Sequence, residues 1–321
     1  MELLSPAGAL VALAVAAPLV ALLVLERRAR AVRGVLGLGE PGRRSWAIPA
    51  AALVAFAALV ALAAAQPAMT RTTAKPFRTD AEAFFVVDIS RSMLASAGPR
   101  GDRRIARAKR AAIELRDAIA DVPAGIATLT DRALPHLYPS TDRDVFAEAM
   151  RRVVDVEHPP PLAPGARATS FDPLEIFAGT DLFFSPRAER RIVVVLSDAE
   201  TRATDASLLA ARVRDGAPLQ VVFVHVWEES ERIYDRRGRP EAAYRADPLS
   251  RSQLAELARL LGAETVEERD VSGAIDAVRT AAGPSTGTRS VDRVETLALA
   301  PYALLCSLVP LALLLWRRNV A

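Results

Sequence analysis

Three apolar runs constrain this chain of 321 residues more than any other feature: Leu3 to Leu25, Trp46 to Ala65, and Leu297 to Trp316. Each reaches the roughly 20 residues that a helix rising about 1.5 Å per residue needs to cross the hydrocarbon layer. Arginines flank them. Arg27, Arg28, Arg30, Arg33, Arg43 and Arg44 lie between the first two runs, and Arg317 and Arg318 follow the third. Basic residues gather on the cytoplasmic side of membrane proteins. The pattern therefore predicts a multi-pass protein of the cell membrane. In it, 1–65 forms two N-terminal spans joined by a basic cytoplasmic loop, 297–316 is a C-terminal span, and 317–321 is a cytoplasmic tail. The segment between, about Gln66 to Glu295, is then extracytoplasmic. A signal peptide cut after Ala65, built from Arg43, Arg44, the second run and "ALAAAQ", is the competing reading, and a preceding span argues against it.

The chain carries 41 Lys and Arg against 38 Asp and Glu. Eight arginines flank the apolar runs, more than the net excess of three, so that excess points to the lipid bilayer and not to nucleic acid. The single cysteine, Cys306, lies inside the third run. Disulfides, thiolate metal sites and cysteine nucleophiles are therefore excluded from the outer segment. About 200 residues are enough for an ordinary apolar core to hold it together.

Along that segment short β-type runs alternate with helical patterns. "AFFVVD" reads as a buried strand. "RRIARAKRAAIELRDAIADV" puts Ile105, Ala108, Ala112, Leu115 and Ile119 on one stripe, with Asp102 as N-cap. "AGIATLT" and "ALPHLY" read as strands joined by a turn at Asp131, followed by a helix at "DRDVFAEAMRRVV" and a proline-rich loop from His158 to Gly165. "FDPLEIFAG" has the order of a helix start, with Asp172 as cap and Pro173 at the first helical position. "RIVVVLSD" is a second wholly apolar strand, then come the helix "DASLLAARVRDG" and the strand "LQVVFVHV". A charged excursion, "RIYDRRGRPEAAYRAD", reads as an exposed hairpin turning at Arg237 and Gly238. Ser250 with Gln253 forms a capping box for the next helix, and a short strand and a last helix at "SGAIDAVRTAA" close the series. Strands alternating with amphipathic helices predict an α/β fold, a doubly wound, mostly parallel sheet flanked by helices, over residues 83–282. Residues 66–82 and 283–296 are read as linkers.

"AFFVVDISRSMLAS" then raises a chemical question, because its strand ends in Asp88 followed by Ser90 and Ser92. In a parallel sheet ligands bind beyond the carboxyl ends of the strands. Asp88 and Asp198 both fall on that edge, and two carboxylates brought together repel. No lysine or arginine is fixed between them by the sequence. A divalent ion resolves the repulsion, and serine hydroxyls supply further hard oxygen ligands. The bland reading makes Ser90 and Ser92 turn residues. His225 alternates within an apolar strand and reads as a satisfied core histidine; His136 and His158 lie apart, which gives no zinc pattern. The glycines of "GVLGLG" lack the strand and helix that a dinucleotide site needs.

"DISRSM" resembles the D-x-S-x-S of the metal-ion-dependent adhesion site in von Willebrand factor type A (VWA) domains, and "VVVLSDAE" is similar to the family's strand ending in a second aspartate. The resemblance spans about Phe84 to Ala281. It implies a Rossmann-like VWA domain whose metal ligands are Asp88, Ser90, Ser92, Thr169 of "GARATSFDPL", and Asp198. It implies Mg2+, with Mn2+ or Ca2+ as alternatives, one open coordination position, and a protein partner whose acidic residue fills it. Two spans before the domain and one after further resemble the bacterial BatA-type aerotolerance proteins. That likeness implies other VWA membrane proteins and a MoxR-type AAA+ ATPase as companions. The family often has glycine where this chain has Arg91 and Ala199. Arg91 puts a cation near the metal, and Ala199 asks for less unusual backbone angles. Two rivals remain: a scaffold with an unoccupied metal site, and a metal-assisted phosphohydrolase using Asp88. The second wants another acid close by in the same loop, where this chain has Ser90. A binding module and not an enzyme is the expectation.

Overall fold

The computed structural model of the chain describes residues 2–36, 44–162, 169–179, 182–202 and 204–320. Arg43, the end of "GVLGLG" and the last part of the proline-rich loop lie outside them. The chain divides into two compact units, Met1–Lys75 with Asp292–Ala321, and Pro76–Val291.

The first unit holds three helices long and apolar enough to cross a membrane, Pro6–Val35, Ala47–Ala64 and Ala300–Arg317. The first begins as a 3-10 helix over Pro6–Val15 and continues as an α-helix over Ala16–Val35. It therefore runs through Arg27, Arg28, Arg30 and Arg33, where the sequence suggested a loop. Many of its large apolar side chains are exposed, Leu10, Leu13, Val20 and Leu25 among them, as are Leu304, Leu308 and Val309 in the last helix. A helix apolar on every side needs an apolar surrounding. The segments read as linkers contain strands: Pro67–Arg78 lies between Glu2–Leu3 and Thr288–Ala298 in a three-stranded sheet. "TRTTAKPFR" lacks the apolar alternation that would have marked a strand.

The central unit is a doubly wound α/β domain. Its elements are β1 (Ala81–Asp88), α1 (Arg104–Ala118), β2 (Ala124–Leu129), β3 (Ala133–Ser140), α2 (Arg143–Arg152), a 3-10 turn (Asp172–Ala178), β4 (Arg190–Ser197), α3 (Ala206–Asp215), β5 (Leu219–His225), α4 (Ser250–Leu261), β6 (Glu264–Glu267) and α5 (Val271–Ala282). The sheet order is β3-β2-β1-β4-β5-β6, parallel throughout except for the antiparallel edge strand β3. Alternation along the central strands builds two cores. Phe85, Val87, Ile192 and Val194 pack with α1, α2 and α5 on one face, while Phe84, Val86, Val193 and Val195 pack with the 3-10 turn, α3 and α4 on the other. Helices on both faces explain why Ala83–Val87 and Ile192–Leu196 are apolar at every position. Phe84 meets Phe177, Phe183 and Phe184 at 5.2–5.7 Å between ring centroids. Gly125 makes room for it, since a Cβ there would come within 2.6 Å of the Phe84 ring.

Several helix starts differ from their sequence reading. Asp102 does not cap α1; Arg103 occupies the cap position, and Asp102 pairs with Arg110 at 2.7 Å. Phe171, not Asp172, precedes the turn at 172, which is 3-10 and not α. Ser250 forms no capping box, because Leu249 is the cap residue and the Ser250 side chain points inward. The expected turn does form at Gly238, with φ +76°, closed by an antiparallel bridge between Tyr234 and Pro240 in which the Asp235 N–H donates to the Arg239 carbonyl at 2.9 Å and the Glu241 N–H to the Ile233 carbonyl at 2.8 Å. Asp142 is a true cap, its Oδ1 accepting from the backbone N–H of Asp144 at 2.9 Å and of Val145 at 3.2 Å. Asp142→Ala should lower stability by about 1 kcal/mol, read as a lower denaturant midpoint at unchanged slope.

Candidate metal centre

The strand order reverses between β1 and β4, and a doubly wound sheet binds ligands at that reversal, beyond the carboxyl ends of the strands. Asp88 is the last residue of β1 and Asp198 directly follows β4. Both are fully buried. The loop after β1 turns tightly into a 3-10 turn over Arg91–Leu94, which buries Ser90 and Ser92. Thr169 is held where three loops converge: it bridges to Thr201, its carbonyl accepts from the Arg202 N–H at 2.9 Å, and the neighbouring Ser170 N–H donates to the Thr130 carbonyl at 2.9 Å.

These supports bring the sequence-predicted residues together. Asp88 Oδ1 accepts from the Ser90 backbone N–H at 2.8 Å and from the Thr169 hydroxyl, and its Oδ2 accepts from the Ser197 hydroxyl at 2.6 Å. Ser90 Oγ and Ser92 Oγ are 2.9 Å apart. Two adjacent ligands of an octahedral ion with bonds of 2.0–2.1 Å stand about 2.9 Å apart, so the serine pair has the spacing of one octahedral edge. Among the described residues no group of three His, Cys, Asp or Glu side chains could hold a metal. An ion in this crevice would therefore rely on hydroxyl oxygens and two carboxylates, a hard donor set.

Asp88 has three neutral donors and no cation among its hydrogen-bond partners. Burial and then the negative charge of Asp198 push its carboxyl up to about 6, against the pull of its hydrogen bonds. Asp198 differs. Its Oδ1 accepts from the Glu200 N–H at 3.0 Å and its Oδ2 takes Arg104 Nη1 at 2.8 Å. The repulsion inferred from sequence is thus relieved at Asp198 by a buried arginine, and remains at Asp88.

Arg104 and Ser197 are the functional neighbours that sequence reasoning missed. Arg104 is one of several arginines in "RRIARAKR", and only its place in the first turn of α1, beneath the sheet edge, distinguishes it. Ser250, taken for a helix cap, links His225 to this edge: its hydroxyl contacts His225 Nε2 at 2.8 Å and donates to the Asp198 carbonyl. His225 is the satisfied core histidine expected, and burial lowers its pKa. Arg91 donates to Glu241 at 2.6 Å, beside a cavity that Ser92 and Glu200 also line. Ala199 adopts φ +54°, the left-handed conformation that its side chain was expected to avoid.

No family model and no curated protein matches the sequence. Solved structures do match in chain path. The fold is similar to that of BatB. That protein, from Bacteroides thetaiotaomicron, is 19% identical, with 63% of this chain and 98% of that chain covered and a TM-score of 0.49. An aerotolerance-related membrane protein from Bacteroides fragilis is also 19% identical, over 61% of this chain and 98% of that one, with a TM-score of 0.47. The manganese-loaded TRAP protein of Plasmodium vivax is 9% identical over 71% of this chain and 82% of its own, with a TM-score of 0.39.

Proposed function

We propose that the chain is a membrane-anchored binding module of the VWA type, whose central unit holds a divalent cation and, through it, an acidic residue of a partner protein. Ser90, Ser92 and Thr169 offer hydroxyl ligands, and Asp88 and Asp198 offer carboxylates. The cation, Mg2+ by its preference for such donors, would supply positive charge to an incoming carboxylate at its open position. The observation that carries this reading is the buried carboxylate of Asp88 among the hydroxyls of Ser197 and Thr169, without a cation of its own, at the reversal point of the sheet. The three apolar helices are read as spans, with the arginines placing the first loop and the C-terminus inside and the central unit outside. The module is read as non-catalytic, since Asp88 has only amide and hydroxyl partners and no histidine or lysine base among them.

The test is a pull-down by the detergent-solubilised chain from membrane extracts, in Mg2+ or in chelator, with Asp88→Ala and Ser90→Ala beside the wild type. Partners retained only with Mg2+ and lost in both variants support the reading. Retention indifferent to chelator and to both substitutions sinks it.

A pH dependence follows. The Asp88 carboxyl titrates near 6 in the folded, metal-free protein, above the ordinary value of 3.8. Protons therefore compete with the cation below pH 6. The rise in melting temperature given by Mg2+ should be full at pH 7.5 and shrink steadily from pH 6 towards pH 4.5.

A further inference from the structure

Arg104 is fully buried, yet it sits at the centre of a charged cluster. Its Nη1 donates to Asp198 Oδ2 at 2.8 Å, Glu200 Oε1 at 2.8 Å and the Tyr244 hydroxyl at 3.0 Å, while its Nε donates to Glu231 Oε2 at 2.6 Å. Each partner is fastened in turn. Glu231 also takes Arg107 and the Glu228 N–H, and Glu200 takes Trp227 Nε1 at 3.0 Å, the Tyr244 hydroxyl at 3.0 Å and the Asp247 N–H at 3.3 Å. The guanidinium cannot swing out to solvent without breaking several of these bonds, so its charge is fixed beside the metal crevice. A buried arginine does not shed its proton to make way for another cation.

We propose that Arg104 is an internal counter-cation of the metal centre: it occupies the charge of Asp198 and so keeps the affinity for a divalent ion low until an acidic partner arrives. The inference rests on the metal reading above and deepens it. A cation bound among Ser90, Ser92 and Thr169 shares Asp198 with the guanidinium, and two positive charges on one carboxylate repel. A partner carboxylate restores the missing negative charge, so cation and partner each bind weakly alone and strongly together. This coupling is reciprocal. Arg104 is a positioning and charge-setting residue here, not a ligand.

The charge argument predicts opposite signs for two substitutions, where a merely structural role predicts the same sign for both. Mn2+ binding to the full chain in detergent is followed by the loss of the free Mn2+ paramagnetic resonance signal, with no partner present. Arg104→Gln should tighten Mn2+ at least tenfold, lower the metal-free melting temperature and enlarge the Mn2+-induced rise. Glu231→Gln, which removes a negative charge from the far side of the cluster, should weaken Mn2+ several-fold. Arg104→Lys should stay within about threefold of the wild type. Weaker binding in both Arg104→Gln and Glu231→Gln overturns the proposal and makes the cluster structural. If Arg104→Gln does not fold, the other two variants decide: unchanged affinity in Glu231→Gln, or tightening in Arg104→Lys, overturns it. Saturable binding in the wild type that Arg104→Gln leaves unimproved overturns the counter-cation alone, whereas no saturable binding in either overturns the metal reading with it.

Discussion

Asp88→Asn should yield a chain that is more stable than the wild type without metal at pH 7 and that no longer responds to Mg2+. The expectation comes from one carboxylate. In the wild type its pKa is raised from 3.8 to about 6 by burial and by Asp198. A raised acid binds more protons folded than unfolded between those values, so its contribution to stability is greatest at low pH and is lost as pH rises from about 4 to about 6. At pH 7 the ionised group then costs on the order of 2 to 3 kcal/mol. Asparagine removes that cost and gives up one hydrogen bond, on the order of 1 kcal/mol. Its carbonyl oxygen can accept from the Ser90 N–H and the Thr169 hydroxyl, and its amide can face the Ser197 hydroxyl oxygen, which also accepts from the Ala199 N–H at 2.9 Å, so that the Ser197 O–H loses Asp88 as its acceptor. The same exchange deletes a charged ligand, and divalent affinity should fall by more than 100-fold. Thermal denaturation at pH 7 and pH 4.5, each with Mg2+ or chelator, checks both halves. The stability gain should be present at pH 7 and smaller by roughly 2 kcal/mol at pH 4.5, where the folded wild-type carboxyl is already protonated while the unfolded one is still largely ionised. A variant that is less stable at pH 7 and still gains a wild-type increment from Mg2+ would refute the assignment.

How much of this was legible beforehand depends on whether a signal is local. β1 and β4 were readable because "AFFVVD" and "RIVVVLSD" are unbroken apolar runs, which only strands covered on both faces need. Asp88, Ser90, Ser92 and Asp198 followed from where those strands end. Thr169 came from a resemblance, and the structure brings its hydroxyl to Asp88 across 81 residues of chain. Other features depend on partners far away in sequence, and no local pattern reports them. Arg104 looks like any arginine of a basic helix until Glu231, 127 residues on, comes to meet it. Ser250 satisfies the pattern of a helix cap, yet tertiary contacts with His225 and Asp198 turn it inward. The strands Pro67–Arg78 and Thr288–Ala298 were missed for a different reason. They carry polar residues on both faces, so they lack the period-two apolar signal of a half-buried strand.

At the other edge of the sheet, Asp80→Ala should cost about 3 to 5 kcal/mol, the usual result of leaving one member of a buried ion pair alone. Asp80 and Arg78 lie just ahead of β1 and are only 5% and 3% exposed. Arg78 grips Asp80 with two parallel bonds, Nε to Oδ1 at 3.1 Å and Nη2 to Oδ2 at 2.6 Å. The same guanidinium donates to the carbonyls of Gly283 at 2.7 Å and Pro284 at 3.0 Å, and Asp80 Oδ2 accepts from the Thr286 N–H at 3.2 Å. The pair thus fastens the chain entering the sheet to the chain leaving α5, more than 200 residues later. Arg78 holds the Asp80 carboxyl well below the usual carboxylate range. A depressed acid contributes stability above its unfolded pKa and loses it as pH falls through the folded value, so the clasp should hold at neutral pH and fail only in strong acid. Asp80→Ala strands the arginine, whereas adding Arg78→Met removes the stranded charge as well. The double variant should therefore recover a large part of the loss, because a buried ion pair is worth little against an apolar replacement even when half of it is ruinous. Chemical denaturation of the four chains of this cycle, in detergent, measures the coupling. Two single losses that simply add would show that the carboxylate and the guanidinium act independently, and that the two ends of the domain are not joined through them.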